Sequence, residues 1–449
     1  MDIIIHNATL VDVRSSSLGV LPTTSSAKGR RFKVDLDTLS HCDDKIDITF
    51  TSKDGSLYQV QVALTPNSRV RQRGWDRLQV TRQDRLRLTS PSQRLDEKTS
   101  IGGSGVNMIC GYRIQDKRSQ RSTVILMDLP DTSTFLAGIP DEISLAELAL
   151  PGTHESCALY GFPISQCQQP STPISRQLLD GVRFFDIRLR IVCDQLLVYH
   201  GPRPQRSDLL TLLSTFQSFL LSHPSETFIM SVKEEGPPFH PIFSKMAWEG
   251  FRPYLDKFWY TENRIPTLGE VRGRGVLLAR FDRIQGTGEW ECGLGIHPDR
   301  WPDSRQEGFE WNCSGRIMRI QDWYRVPTLL NIPEKFQTMT SHLESTLTSQ
   351  PISATSRAHS NETNTPLTLD YTSAASTALS LPTTMAKGFG WPQWGMGVQG
   401  INARLAFWLL RRIEEGERLR GIVAMDFYRQ AGATGGELAE LLVAMNFLD

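Results

Sequence analysis

Leu148-Ala-Leu-Pro-Gly-Thr-His-Glu-Ser156 is the stretch around which this chain is organised. A short apolar run breaks at Pro151-Gly152 and at once presents His154 and Glu155, the pattern of a buried strand that ends in a turn. An imidazole held there can take or give a proton near neutral pH, and the adjacent carboxyl can orient it or share its proton. A histidine after a strand is more often a satisfied structural residue than a catalytic one, so the remaining chain has to decide.

Downstream of residue 136 the texture alternates between strand and helix. Apolar runs at 146–150, 183–190, 227–233, 275–281, 317–322, 366–371 and 421–426 are separated by helical periodicity over Ile174–Leu179, Leu209–Leu220, Phe243–Trp259, Ile332–Leu347, Ile401–Ile413 and Glu437–Leu448. This alternation predicts parallel strands with crossover helices, and the roughly 310 residues involved are enough to close an irregular (β/α)8 barrel. The polar stretch Ser349–Thr365 reads as a flexible surface insertion.

In such a barrel the reactive residues come from the carboxyl ends of several strands. Here those ends are polar: His154 and Glu155 close the first, Asp186 and Arg188 share one side of the second, and His200 follows in a tight turn. Lys233, Arg280, Asp322 with Tyr324, and Asp426 end the later runs. Singly each has a structural alternative, since Asp186 and Arg188 can form a barrel salt bridge and Lys233 can pair with Glu234 or Glu235. Together they are harder to explain that way, because burying so many charges requires partners and ordinarily signals a site. Two histidines and an inward arginine fit phosphodiester cleavage by general acid and base, with the guanidinium neutralising phosphoryl charge and no metal or other cofactor required.

Residues 1–135 differ in texture. Runs at Ile3–Val13, Phe32–Leu36, Ile46–Phe50, Leu57–Leu64, Val106–Ile114 and Ser122–Met127 between turn-forming clusters predict a smaller all-β, sandwich-like domain ahead of the barrel at 136–449. His6 and His41 have no evident partners, Arg69, Arg71 and Arg73 read as a solvated face, and Gly102-Gly103-Ser104-Gly105 lacks the Lys-Ser/Thr ending of a phosphate loop. Over the 449 residues, 49 basic and 49 acidic side chains cancel, which argues against nucleic-acid binding. Seven cysteines are too sparse for a disulfide scaffold, and their odd number leaves at least one thiol unpaired within the chain. Without a secretory-type leader or a long apolar span, the expectation is a soluble, cytoplasmic protein.

The ordered set Ile143-Ser-Leu, Leu-Pro-Gly-Thr-His-Glu-Ser156, Gly181-Val-Arg-Phe-Phe-Asp-Ile-Arg188, Val198-Tyr-His-Gly-Pro202, Pro224-Ser-Glu-Thr-Phe-Ile-Met-Ser-Val-Lys233, Arg272-Gly-Arg-Gly-Val-Leu-Leu-Ala-Arg280, Gln321-Asp-Trp-Tyr324 and Val423-Ala-Met-Asp-Phe427 resembles the bacterial-type phosphatidylinositol-specific phospholipases C, metal-independent members of the phospholipase C-like phosphodiesterases, over residues 143–449. The resemblance implies a barrel that cleaves phosphatidylinositol to diacylglycerol and inositol 1,2-cyclic phosphate. It implies His154 as general base oriented by Asp426, His200 as general acid, Arg188 as the phosphate-stabilising cation, and Lys233, Arg280, Asp322 and Tyr324 as the inositol-binding set. Glu155 stands where the bacterial pattern has Asp; its extra methylene moves the carboxylate by about 1 Å, a displacement that can cost about 100-fold in rate. A related phosphodiesterase for another phospholipid or a glycosylated inositol lipid, and a catalytically weak lipid-binding module, are the alternatives.

The implied partner is phospholipid at a membrane surface, met by a monomer peripherally associated with it. Phe389-Gly-Trp-Pro-Gln-Trp-Gly-Met396 offers Phe389, Trp391 and Trp394 for that contact, since indole rings favour the headgroup region. Burial of these tryptophans in the core is the alternative.

Overall fold

The structure, a computed structural model, describes residues 1–6, 8–15, 18–25, 31–34, 45–64, 75–82, 108–115, 122–236, 240, 242–282, 290–291, 293–352, 365–375, 380–392, 396–429 and 437–448. The glycine-rich loop at 102–105, the arginines at 69, 71 and 73, His41, Trp394 and most of the 349–365 insertion lie outside them. One unit comprises Met1–Asp131 with Leu410–Gly416 and Phe447–Asp449; the other comprises Thr132–Leu409 with Glu417–Asn446.

The first unit contains a six-stranded and a five-stranded sheet. Along Lys45–Ser52 every second residue is buried, and Leu57–Ala63 pairs antiparallel with it in the same alternation, as expected of strands with one face on a core. Ile46, Ile48, Phe50, Val60 and Val62 of the five-stranded sheet share one apolar cluster with Ile3, Ile5, Val124 and Leu126 of the six-stranded sheet. The expected run Ile3–Val13 is two strands, Asp2–His6 and Ala8–Ser15, assigned to different sheets. The apolar texture is the same on both sides of position 7, so the pattern alone could not place that division.

In the second unit the parallel strands are β1 (Ala149–Thr153), β2 (Phe184–Val192), β3 (Phe228–Glu234), β4 (Gly275–Arg280), β5 (Arg316–Gln321), β6 (Leu367–Tyr371) and β7 (Gly421–Met425). Their order in the sheet is β4-β3-β2-β1-β7-β6-β5, with Trp259–Tyr260 added in parallel beyond β4 and Phe309–Cys313 antiparallel beyond β5. Helices α1 (Ile174–Leu179), α2 (Leu209–Ser222), α3 (Phe243–Phe251), α4 (Ile332–Glu344), α5 (Ile401–Glu415) and α6 (Glu437–Ala444) alternate with them. This is the barrel-type sheet expected from the alternation, with Gln195–His200 and Arg203–Asp208 forming an antiparallel ribbon on the extension of β2. No helix among the described residues is long and apolar enough to cross a membrane.

Two of the boundaries that differ from the sequence reading have a visible physical cause. The strand does not stop at Pro151-Gly152 but runs through it, because Pro151 has only to accept: the Arg183 amide donates to its carbonyl at 2.8 Å. Gly152 is required by proximity, since a Cβ there would stand 3.0 Å from the Phe184 side chain. The expected helix 243–259 instead ends as α3 and continues through a 3₁₀ turn, Arg252–Tyr254, into the short helix Leu255–Phe258. Pro253, which lacks an amide proton and crowds the preceding turn, accounts for that break.

The opposite end of β2 from the polar cluster is held by Arg183, wholly buried at the strand's start. Its Nη2 meets the buried Glu226 carboxylate at 2.7 Å and the Ser133 carbonyl at 2.9 Å, Nη1 reaches the Leu178 carbonyl at 2.7 Å, and the guanidinium lies against the Phe135 and Phe219 rings. Removing one member of a buried ion pair leaves the other charge unsolvated and costs about 3–5 kcal/mol. Arg183→Met should therefore destabilise the barrel by about that much in urea unfolding, and a near-neutral variant would show that Arg183 does not tie these segments together.

Candidate active site

The ladder register sets the site. Arg188 on β2 is aligned with Lys233 on β3, and Lys233 with Arg280 on β4, so three cations occupy one level of adjacent strands. Asp186, two residues before Arg188, is fully buried beneath them; its Oδ2 accepts from Arg188 Nε at 3.3 Å and Nη2 at 3.2 Å, and its Oδ1 lies 3.5 Å from Arg280 Nη1. Burial alone would raise the Asp186 pKa, but Arg188, Arg280 and His154 outweigh it and hold the carboxyl well below its usual range. Lys233 is pushed down to about 8, first by Arg188, then by burial and Arg280.

β1 delivers the imidazole. The His154 amide continues the ladder onto the Met425 carbonyl at 3.1 Å, and its Nδ1 lies 2.8 Å from Asp426 Oδ1, just past the end of β7. Nε2 faces Arg188 Nη2 at 2.9 Å. A guanidinium can only donate, so Nε2 is an acceptor and Nδ1–H donates to Asp426, which leaves Nε2 as the basic nitrogen. Gln168 Nε2 clamps this junction by donating to both the His154 and Met425 carbonyls, at 2.9 and 2.7 Å.

Glu155 turns the chain at φ 44°, a left-handed conformation that is costly for a residue with a Cβ. Its amide donates to Asp186 Oδ2 at 3.2 Å, while its buried carboxylate reaches Arg188 Nη1 at 2.5 Å and His200 Nε2 at 3.8 Å. Burial raises the Glu155 carboxyl to about 8, against the pull of Arg188, which Asp186 already neutralises in part. His200 ends the ribbon strand Gln195–His200; its Nδ1 donates to the Ser165 carbonyl at 3.0 Å, which leaves Nε2 toward Glu155. Burial and then Arg188 lower its pKa.

The sequence-derived residues His154, Glu155, Asp186, Arg188, His200, Arg280, Asp322 and Asp426 are thus joined by direct contacts, and Lys233 by register. Asp322 Oδ2 lies 3.8 Å from Arg280 Nη2. Tyr324 is placed differently: its hydroxyl is bound to Asp303, whose other oxygen meets Arg325 at 2.5 Å. Four contributors were missed. Glu235 Oε2 stands 3.6 Å from Arg188, and its Oε1 accepts from the Gly201 amide at 2.8 Å. Trp301 lies under the Arg280 guanidinium at 3.8 Å and donates from Nε1 to Asp322 at 2.9 Å. Tyr371, at the end of β6, packs edge-on against His154, and Cys167 lies 3.7 Å from His200 Nδ1. The strand-end rule that selected Asp426 also points to Tyr371; Trp301 sits in an irregular segment with no periodic signal. Among the described residues, His154, Cys167 and Asp426 are the His, Cys or acid group whose donor atoms, all within 4.8 Å of one another, could hold a metal ion.

Phe389 and Trp391 are 62% and 58% exposed on a hairpin formed by Gly388–Trp391 and Met396–Gln399, which removes the core alternative for Trp391.

No family model matches the chain. Over 160 residues it is 34% identical to the 1-phosphatidylinositol phosphodiesterase of Listeria monocytogenes, covering 33% of this chain and 49% of that protein. Over 205 residues it is 28% identical to the protein of the same name from Staphylococcus aureus, covering 42% of this chain and 64% of that one. The chain therefore spans about half to just under two thirds of the curated relatives it matches. Solved phosphatidylinositol-specific phospholipases C from S. aureus and L. monocytogenes share the fold, at TM-scores of 0.52 and 0.50 with 19% and 24% identity; each comparison covers 70% of this chain, and 98% and 99% of the respective structures. The resemblance read from the motifs and the barrel fold are borne out by these comparisons.

The raised Glu155 carboxyl has a measurable sign. A group whose pKa is higher in the folded than in the unfolded state stabilises the fold most below its unfolded pKa and loses that contribution as pH rises through the folded value. The stability of the native protein minus that of Glu155→Gln should fall between about pH 4.5 and about pH 8, by at most about 1.4 kcal/mol per pH unit. A pH-independent difference in urea unfolding would reject the protonated carboxyl.

Proposed function

We propose that the barrel cleaves phosphatidylinositol-type lipids without a metal ion. The observation that carries this reading is the placement of two histidines beside Arg188, one whose basic Nε2 faces the guanidinium and the other next to the buried Glu155 carboxyl, which burial raises to about 8. His154 Nε2 takes the proton of the inositol 2-hydroxyl as its oxygen bonds to phosphorus, and Asp426 stabilises the imidazolium. The bond from phosphorus to the glycerol oxygen breaks, and that oxygen takes a proton that the Glu155 carboxyl supplies through His200 Nε2, the lone-pair nitrogen left by the Nδ1–H bond to Ser165. Arg188 neutralises the non-bridging oxygens, relieved of part of its bond to Glu155 as the phosphate arrives. Diacylglycerol and inositol 1,2-cyclic phosphate are the products. Lys233, Arg280 and Asp322 line the level at which the inositol hydroxyls would lie, with Tyr324 at its margin. The names of the curated relatives support the substrate class.

We further read the chain as a monomer of two domains working at a membrane surface, with the all-β unit outside the chemistry. Five described cysteines are free thiols, which fits a reducing cytoplasm. Glu155 Oε1 stands 3.8 Å from His200 Nε2, beyond hydrogen-bond length, and on this reading the two close to proton-transfer distance as substrate binds.

Turnover measured on a panel of phospholipids with a chelator present should be highest on phosphatidylinositol and insensitive to chelation. His154→Ala and His200→Ala should each remove most of that turnover, and the double variant should lose little more, because the two act as one unit. Fully additive losses, or rescue of a chelated enzyme by calcium or magnesium, would exclude the paired acid–base mechanism.

The exposed hairpin gives a separate expectation. Changing both Phe389 and Trp391 to Ala should weaken binding to vesicles and slow cleavage of bilayer substrate, while leaving short-chain monomeric lipid and the melting temperature nearly unchanged. A buried tryptophan would instead cost about 3–5 kcal/mol on truncation and lower both activities together, and that outcome would remove the hairpin from the membrane contact.

A further inference from the structure

We infer that His154, Cys167 and Asp426 form a binding site for one soft divalent cation of the zinc or cadmium class, and that its occupancy shuts off the active site. The inhibitory half rests on the reading of His154 as general base; the binding half does not.

The three donor atoms lie within 4.8 Å of one another, with His154 Nδ1 and Asp426 Oδ1 at 2.8 Å. A tetrahedral zinc ion with bonds of about 2.0–2.3 Å to N, O and S needs its donors roughly 3.3–3.6 Å apart. Spreading the histidine–carboxylate contact by less than about 1 Å and drawing in the thiol by up to about 1.5 Å meets that requirement. The backbone is already tied for it: the Phe427 amide, next to Asp426, donates to the Cys167 carbonyl at 2.8 Å, and Gln168, next to Cys167, binds the carbonyls of His154 and Met425. Thiol, imidazole and a single carboxylate form a donor set for zinc or cadmium, whereas calcium and magnesium require several oxygens. Cys167 is wholly buried and Asp426 nearly so, while the His154 side chain is 14% exposed, so the ion would enter past the imidazole.

Binding replaces the thiol S–H bond by a sulfur–metal bond and releases that proton to solvent. The ion also takes the Nδ1 lone pair, so the ring proton shifts to Nε2. Nε2 then presents N–H toward Arg188 and can no longer accept the proton of an attacking hydroxyl, and Asp426 is drawn from the histidine to the ion. The fourth position of the ion is left for water.

The test is a cadmium titration of the full chain, followed by the ultraviolet thiolate-to-cadmium charge-transfer band, with zinc measured by calorimetry. Saturation at one equivalent is expected in the native protein and in Cys193→Ser, which lacks the exposed thiol. Cys167→Ser should lose the band and bind zinc at least about tenfold more weakly, and whatever turnover it retains should no longer respond to zinc. Asp426→Asn, which keeps the thiol, should retain the band with weakened affinity and serves as the second variant should Cys167→Ser not fold. A band that survives in Cys167→Ser, or no saturable site at all, overturns the proposal. A band lost with Cys167 but without inhibition of the native protein leaves the site standing and instead overturns the assignment of His154 as base.

Discussion

Three cations in register on adjacent strands are the constraint on which the rest of this site depends. Arg188, Lys233 and Arg280 repel one another in a poorly solvated place, and a lowered Lys233 is the direct mark of that repulsion. The fold tolerates the row because Asp186 sits below two of its members and Glu155, Glu235 and Asp322 surround it. Such an arrangement is balanced but not relaxed. A dianionic or polyhydroxylated ligand entering from the open side can replace carboxylate oxygens without uncovering charge, which is why so many buried ionic groups can coexist with a defined fold.

The same row explains why two carboxyls a few ångströms apart behave differently. Asp186 receives contacts from two guanidinium groups and an amide and stays ionised; Glu155 has only what Arg188 has left and retains its proton. Their separation in acidity is a product of position, since both are buried. The left-handed turn at Glu155 creates that position by aiming its amide at Asp186 while swinging its side chain toward His200. The strain of the turn is therefore coupled to the acid–base assignment rather than incidental to it.

Much of this was legible in the sequence, for a physical reason: strands buried on both faces read as apolar runs, and their carboxyl ends are where polarity becomes tolerable. Applied consistently, that rule locates His154, Arg188, Lys233, Arg280 and Asp426. It stops being informative where contacts arise from irregular backbone. Trp301 reaches Arg280 from a segment without periodicity, and Tyr324 follows the right strand but has its hydroxyl engaged by Asp303, a residue twenty-one positions earlier. The passage of β1 through Pro151 was also hidden, because only the partner strand reveals that an acceptor, not a donor, is needed at that position.

The two histidines are mounted on unlike supports. His154 extends a strand flanked on both sides by parallel neighbours, whereas His200 ends a ribbon that pairs with the far part of β2 and is otherwise held by loop contacts, from Gly201 to Glu235, His200 to Ser165 and Gln205 to Tyr160. Cooperative opening of a protein proceeds from its least-supported segments. The ribbon can therefore open as a unit while the barrel stays intact, carrying the proton donor away and leaving the base and the cation row assembled. Heating such a molecule would dismantle its two halves of proton transfer at different temperatures, the leaving-group half first.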